Sequence, residues 1–200
     1  NCPLCNRHPN MGSAVYRMKV NAIFDRDTDL LMLGLDNAGV STVLCRMATI
    51  LGGDIDYIHT IGLSEVETLT CHKLRVTSYD PDSSDRVASR WKREQNSRDK
   101  SALIFVVDSS DYENGWIERA RGILLQYMSE PAFKGSPLLV LANKQDIPGA
   151  MTVAHVTEHL CLRDIEADWH VASTVANAAN IRNTGIHEGL KWLGTHLRQS

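Results

Sequence analysis

The sequence lacks the features that mark membrane-spanning and nucleic-acid-binding proteins. Its longest apolar stretches, such as Ala102 to Val107, are about six residues long, far below the roughly 20 that a transmembrane helix requires. It also lacks an excess of positive charge, because 21 Lys and Arg oppose 24 Asp and Glu and leave a formal charge of -3. We therefore expect protein partners rather than nucleic acid, and no membrane attachment by the chain itself.

Cysteine is too sparse and too irregular for a disulfide framework. The chain has five cysteines, an odd number, and its 200 residues are enough to bury a core without covalent staples. An intracellular, reducing compartment is therefore expected. The sequence starts at Asn1 rather than Met, which indicates trimming or processing and leaves both the cytoplasm and an organelle such as the mitochondrion open.

The N-terminal residues carry two weak signals. Cys2, Cys5 and His8 have the spacing of half a zinc site, but no fourth ligand lies nearby, so thiols in a tail are the favoured interpretation. The segment MGSAVY is similar to a myristoylation motif, but it is internal and has Tyr where Ser or Thr belongs. We interpret residues 1–28 as an N-terminal extension and residues 29–200 as one domain.

Short apolar runs alternate with amphipathic segments of helical length, which predicts an α/β fold around a mostly parallel sheet. The six predicted strands are Leu30–Leu33, Val66–Thr70, Lys73–Tyr79, Ala102–Val107, Leu138–Ala142 and His170–Ser173. The predicted helices are Ser41–Leu51, Asp85–Glu94, Trp116–Met128, Val153–Leu160 and Gly185–Leu197. The second and third strands are too close for a helical crossover, so they should form an antiparallel hairpin at one edge.

Between the first strand and the first helix, the segment GLDNAGVST has the spacing of a phosphate-binding loop, G-x-x-x-x-G-K-[ST]. In such a loop, backbone N–H groups and the helix N-terminus hold phosphate oxygens. The residues expected at the nucleotide are Gly34, Asp36, Asn37, Ala38, Gly39, Ser41 and Thr42, with Ser41 also binding Mg²⁺. The position of the phosphate-binding lysine, however, holds Val40, which has neither charge nor donor.

A second motif, Asn143-Lys144-Gln145-Asp146, follows the fifth predicted strand. An N-K-x-D segment recognises guanine when the Asp carboxylate accepts from the base's N1–H and amine and the Asn and Lys support the pocket. Residue types alone leave an alternative, in which Asp146 caps the helix that comes next. The position about a hundred residues after a phosphate loop and directly after a strand favours guanine.

Together, these motifs resemble the Arf and Arf-like small GTPases. The resemblance covers residues 30 to 197 and rests on LMLGLDNAG, TIGLSEVETL, LIFVVDSSD, LLVLANKQDIPGAM and EGLKWL. It implies a six-stranded P-loop G domain that binds GDP or GTP with Mg²⁺. It also matches Ser41, Thr60 and Asp80 to the family's metal-site residues, and Thr174 and Val175 to the small-residue loop that backs the base.

The second switch departs from this family pattern. Where the family has D-x-G-G-Q, the chain reads Asp80-Pro81-Asp82-Ser83-Ser84. Asp82 replaces the glycine that senses the γ-phosphate, and Ser84 replaces the glutamine that positions water. Phosphoryl transfer depends almost entirely on positioning and electrostatics, so with Val40 these changes predict no catalytic residue for hydrolysis.

Two functions therefore stay open. The first is a pseudo-GTPase that serves as an interaction or scaffold module, for example as a stable subunit of a larger assembly, with residual GDP binding. The second is a regulated Arf-like switch that still cycles nucleotides with help from a partner. The joint loss of the lysine, the glycine and the glutamine favours the first function.

Overall fold

The computed structural model describes residues 24–59, 65–79, 81, 100–111, 115–179 and 184–198. Its strands are β1 Thr28–Gly34, β2 Asp54–His59, β3 Glu65–Cys71, β4 Leu74–Tyr79, β5 Lys100–Asp108, β6 Leu138–Asn143 and β7 Trp169–Ser173. Its α-helices are α1 Val40–Leu51, α2 Trp116–Ser129, α3 Val153–His159 and α4 Ile186–Leu197. Short 3₁₀ helices occur at Pro131–Phe133 and Leu162–Asp164.

All seven strands form one sheet in the order β2-β3-β4-β1-β5-β6-β7. The strands from β4 to β7 in this order are parallel, whereas β3 is antiparallel to both β2 and β4. The predicted α/β class and mostly parallel sheet are confirmed. The predicted antiparallel hairpin is present as β3 and β4. The predicted count of six strands is wrong, because β2 pairs with β3 and forms the edge outside the hairpin.

The missed strand is β2, at the edge of the sheet. Asp54 and Asp56 are exposed and Ile55 is only half-buried, so this part of the strand lacks the apolar run that identifies a central strand. Exposed charge is a usual property of edge strands, because it opposes pairing with other chains. The predicted helix Asp85–Glu94 lies outside the described residues.

Apolar side chains are buried on both faces of the sheet. In β5, Ala102, Ile104 and Val106 pack with α1 and α4, whereas Leu103, Phe105 and Val107 pack with α2 and α3. Such two-sided burial is expected of a parallel strand covered by helices on both faces. None of the described helices is both long and apolar enough to span a membrane.

Two findings bear on the ends and the cysteines of the chain. Phe24 is buried and belongs to the core cluster beside α1 and α4, so core packing begins before the first strand; the boundary at residue 28 stays a prediction. Cys71 and Cys161 are free, and Cys45 is disulfide-bonded. Disulfides are uncommon in reducing compartments, so the reducing compartment stays a prediction.

Candidate functional site

The loop between β1 and α1 has the backbone that a phosphate-binding loop needs. Asn37 and Gly39 have left-handed φ angles of 64° and 92°, and α1 begins at Val40 directly after Gly39. A Cβ atom on Gly39 would lie 2.7 Å from Asn143 Nδ2, and one on Gly34 would lie 2.7 Å from Val106 O. Glycine is therefore required at both positions because the neighbouring atoms leave no room for a Cβ atom. At Gly39 the left-handed φ angle is a second reason.

An open cleft of about 400 Å³ lies in front of this loop. It is lined by Gly34, Leu35, Asp36, Asn37, Gly39, Val40, Ser41, Thr42, Glu67, Ser78 and Tyr79. The charged members of this set are Asp36 and Glu67, both acidic, and the described lining contains no Lys or Arg. Glu67 is 9% exposed, and its Oε2 is 3.5 Å from Ser78 Oγ, near the distance limit of a hydrogen bond.

Val40 takes the lysine position without replacing its chemistry. Its side chain is half-buried and packs against the core cluster beside α1. Its Cγ2 atom lies so near Gly34 that a Cβ atom there would be 2.7 Å away. The side chain thus packs against the loop and supplies no donor to the cleft.

Oxygen donors nevertheless line the cleft and suit a hard cation. The Ser41 and Thr42 hydroxyls and the Glu67 carboxylate are of the ligand class that Mg²⁺ prefers. The described residues contain no cluster of three or more His, Cys, Asp or Glu side chains that could hold a metal. Ser41 would therefore need nucleotide oxygens or water to complete a magnesium site.

Asn143 joins three segments at the end of β6. Its buried side chain donates from Nδ2 to Ala38 O in the phosphate loop over 2.9 Å. Its Oδ1 accepts from Ala176 N over 3.1 Å and lies 3.4 Å from Thr174 Oγ1. One amide group thus links the phosphate loop to the loop after β7.

Lys144 is engaged by an acid at the end of the neighbouring strand. Its Nζ lies 2.6 Å from Asp108 Oδ2, and Asp108 Oδ1 accepts from Ser110 N and Ser110 Oγ over 2.9 and 2.6 Å. Burial alone would raise the pKa of Asp108, but the hydrogen bonds from Lys144 and Ser110 outweigh it and hold the pKa below its usual range. Lys144 therefore supports the pocket rather than the phosphate cleft.

Asp146 is exposed and makes no hydrogen bond or ion pair with the described residues. No helix begins there, because α3 starts at Val153 and is capped by Thr152, whose Oγ1 accepts from His155 N. The alternative interpretation of Asp146 as a helix cap is therefore wrong. Its carboxylate is accessible to a base in the way that guanine recognition requires.

Further interactions, beside those with Asn143, hold the loop after β7. Val175 N donates to Thr184 O over 3.1 Å, and Ala178 N donates to Val175 O over 3.0 Å. From α1, Arg46 Nε donates to Ala176 O and Arg46 Nη2 donates to Ala178 O, each over 2.7 Å. Sequence reasoning missed Arg46, because its acceptors are 130 or more residues away and no local pattern marks it.

The structure brings the predicted phosphate-loop residues, Asn143 and Thr174 into one site at the carboxyl ends of β1, β6 and β7. Open α/β sheets bind ligands at this edge. Thr60 and Asp80 lie outside the described residues, as do Asp82 and Ser84, so their roles stay predictions. Glu67 and Asp108 were not predicted as site residues, although the acid at the end of β5 was visible in the stretch LIFVVDSSD.

A comparison with known families agrees with this arrangement. Residues 14–197 match the model of the ADP-ribosylation factor (Arf) family. The matched span includes every described strand and helix. The resemblance drawn from the sequence motifs is therefore confirmed.

Proposed function

This chain belongs to the Arf family of GTP-binding proteins, and we propose that it is a pseudo-GTPase that serves as an interaction or scaffold module. Arf family proteins generally bind guanine nucleotide with Mg²⁺. The proposal concerns what remains of that activity here: weak binding, with GDP preferred, and little or no hydrolysis. A stable place in a larger assembly would suit such a module.

The observation that carries the proposal is the charge of the phosphate cleft. Its described lining has two carboxylates, Asp36 and Glu67, and no cation, because Val40 stands where the lysine belongs. Removing one partner of a desolvated charge pair costs about 2–5 kcal/mol of binding free energy, or about 30-fold to several thousand-fold in affinity. Tight binding would thereby become roughly micromolar.

The same charges favour GDP over GTP. The γ-phosphate adds negative charge to a cleft whose described charged groups are already negative, and like charges repel most strongly where water is partly excluded. The backbone N–H groups of the loop and the start of α1 still attract the remaining phosphates. Residual GDP binding is thus compatible with lost hydrolysis.

The proposal is tested by purifying the protein under native conditions and measuring phosphate release from GTP. We expect no release above the buffer rate. Mass spectrometry of the extracted protein should find either no nucleotide or a substoichiometric amount of GDP. Release at the rate of an ordinary small GTPase, abolished by Ser41→Ala, would instead establish the regulated switch.

A further inference from the structure

Arg46 bridges two parts of the molecule that a bound nucleotide would also hold together. It lies in the second turn of α1, and its side chain is half-buried. Its Nε and Nη2 atoms donate to Ala176 O and Ala178 O, each over 2.7 Å. Both carbonyl groups belong to the loop after β7, which is proposed to back the base.

These bonds complete a closed ring that needs no ligand. Ala38 O accepts from Asn143 Nδ2, Asn143 Oδ1 accepts from Ala176 N, and Ala176 O accepts from Arg46 Nε. Arg46 is in turn joined to Ala38 through the start of α1. The phosphate loop, the end of β6 and the loop after β7 are therefore fixed to one another by the protein's own groups.

The guanidinium group suits this position. It is planar and carries several N–H donors in a fixed fork, so it can satisfy two carbonyl groups at once. Hydrogen bonds from a charged donor are stronger than those between neutral groups. Within the described residues Arg46 has no carboxylate partner, so these two carbonyl oxygens receive its donors without competition from an acid.

We propose that Arg46 is a positioning residue that holds residues 174–178 in their binding geometry before any nucleotide arrives. The inference rests on the proposed guanine site and deepens it. A preformed loop reduces the ordering that binding would otherwise require. Because Val40 weakens the phosphate side, this preorganised base side supplies a larger share of the remaining affinity and of the selectivity for guanine.

The test is hydrogen exchange of the nucleotide-free protein and of three variants. In Arg46→Met, exchange at the Val175, Ala176 and Ala178 amides should rise at least about tenfold, since charge-assisted bonds that limit local opening are lost. The exchange rates in Arg46→Lys should lie between those of Arg46→Met and the unaltered protein, because one ammonium group replaces the two donor positions of the guanidinium group. The matched control is Arg75→Met, which removes another half-buried arginine, paired with Asp29 at 2.9 Å.

A second measurement separates positioning from general stability. Arg46→Met should lower the affinity for GDP several-fold and leave that for ADP, a matched diphosphate with the wrong base, nearly unchanged. Two exchange results would overturn the proposal: loop amides that exchange no faster in Arg46→Met, or loop amides that exchange equally fast in Arg75→Met. An equal loss of affinity for GDP and ADP in Arg46→Met would overturn it as well. The exchange arm needs neither nucleotide nor hydrolysis, so GTP turnover by the unaltered protein would overturn the pseudo-GTPase function and leave this inference standing.

Discussion

The phosphate side and the base side of the site differ in how much of a nucleotide-binding arrangement each retains. On the phosphate side, the loop backbone is intact, but the cleft has Val40 for the lysine and the acidic Asp36 and Glu67 in its lining. On the base side, Asn143 and Lys144 are hydrogen-bonded to neighbouring segments, and Asp146 is accessible. The change is therefore concentrated where the phosphates would lie.

The difference has a physical explanation in what each group does for the fold. Asn143 satisfies the buried Ala38 carbonyl and the Ala176 amide, so its loss would leave buried polar groups unpaired. The Val40 side chain makes no polar contact of this kind and instead packs against the core cluster. Asn143 therefore stabilises the fold whether or not a ligand is bound, whereas a cation at position 40 would be required only for binding a phosphate.

The largest expected effect comes from restoring the phosphate side. Val40→Lys should raise GDP affinity by about 30-fold to several thousand-fold, because it supplies the missing cation of a charge pair worth about 2–5 kcal/mol. Isothermal titration calorimetry would measure the change. Val40→Met is the matched control, since it adds similar length without charge and should leave the affinity nearly unaltered.

If Val40→Lys raises the GDP affinity by this amount, the missing cation accounts for the difference between the phosphate side and the base side. Equal gains from Lys and Met would mean that packing at position 40, rather than charge, limits binding. Hydrolysis should not return in Val40→Lys, because Ser84 still stands at the predicted glutamine position. GTP turnover in that variant would show that the second switch is more capable than its sequence indicates.

A smaller effect is expected on the base side, where Asn143→Ala should lower the stability of the fold. Asn143→Ala would leave Ala38 O and Ala176 N unsatisfied in a buried site, at a cost of about 3 kcal/mol of unfolding free energy and about 6–12 °C in Tm. The measurement is thermal unfolding without nucleotide. Gln145→Ala, which removes one half-buried bond to Met151 O, should cost about 1 kcal/mol; equal losses would show that Asn143 has no special bridging role.

The fold could be predicted from apolar periodicity wherever strands are buried on both faces. Strand β5 illustrates this, because every described side chain from Ala102 to Val107 is buried and forms an uninterrupted apolar run. Strand β2 could not be found in the same way, since Asp54 and Asp56 are exposed. An edge strand is defined by its pairing with β3, and that pairing leaves little trace in the local sequence.

The candidate site was predictable to the extent that its residues are consecutive. Motif spacing, together with the position of each motif directly after a predicted strand, indicated the phosphate loop and the segment Asn143–Asp146. Arg46 and Glu67 lie outside these motifs, and they enter the site because α1 and β3 bring them there. Side chains that act at long sequence separation belong to the packing of the fold, so a single sequence does not reveal them.

A more modest effect is expected at Asp146. In Asp146→Asn, the amide offers N–H groups where the carboxylate only accepts, so guanine should lose one charge-assisted interaction of about 1.5–3 kcal/mol, or about 10-fold to 150-fold in affinity. Xanthine, which has a carbonyl in place of the amine, should be preferred instead. Competition between GDP and xanthosine diphosphate measures this, with the exposed Asp164→Asn as control. An unaltered preference for GDP would mean that the base side stabilises the fold but does not recognise guanine through Asp146.

The smallest expected effect concerns the ion pair between Lys144 and Asp108. Because the folded-state pKa of Asp108 is lowered, the pair stabilises the fold above the unfolded-state pKa of about 3.9, and this contribution is lost as pH falls through the folded-state pKa. Asp108→Asn should therefore cost about 1 kcal/mol of unfolding free energy at pH 7, and the difference from the unaltered protein should be smaller at pH 3 than at pH 7. Urea unfolding at the two pH values measures it. A difference that persists unchanged at pH 3 would show that the neutral hydrogen bonds with Ser110, rather than the charge on Asp108, support this part of the base side.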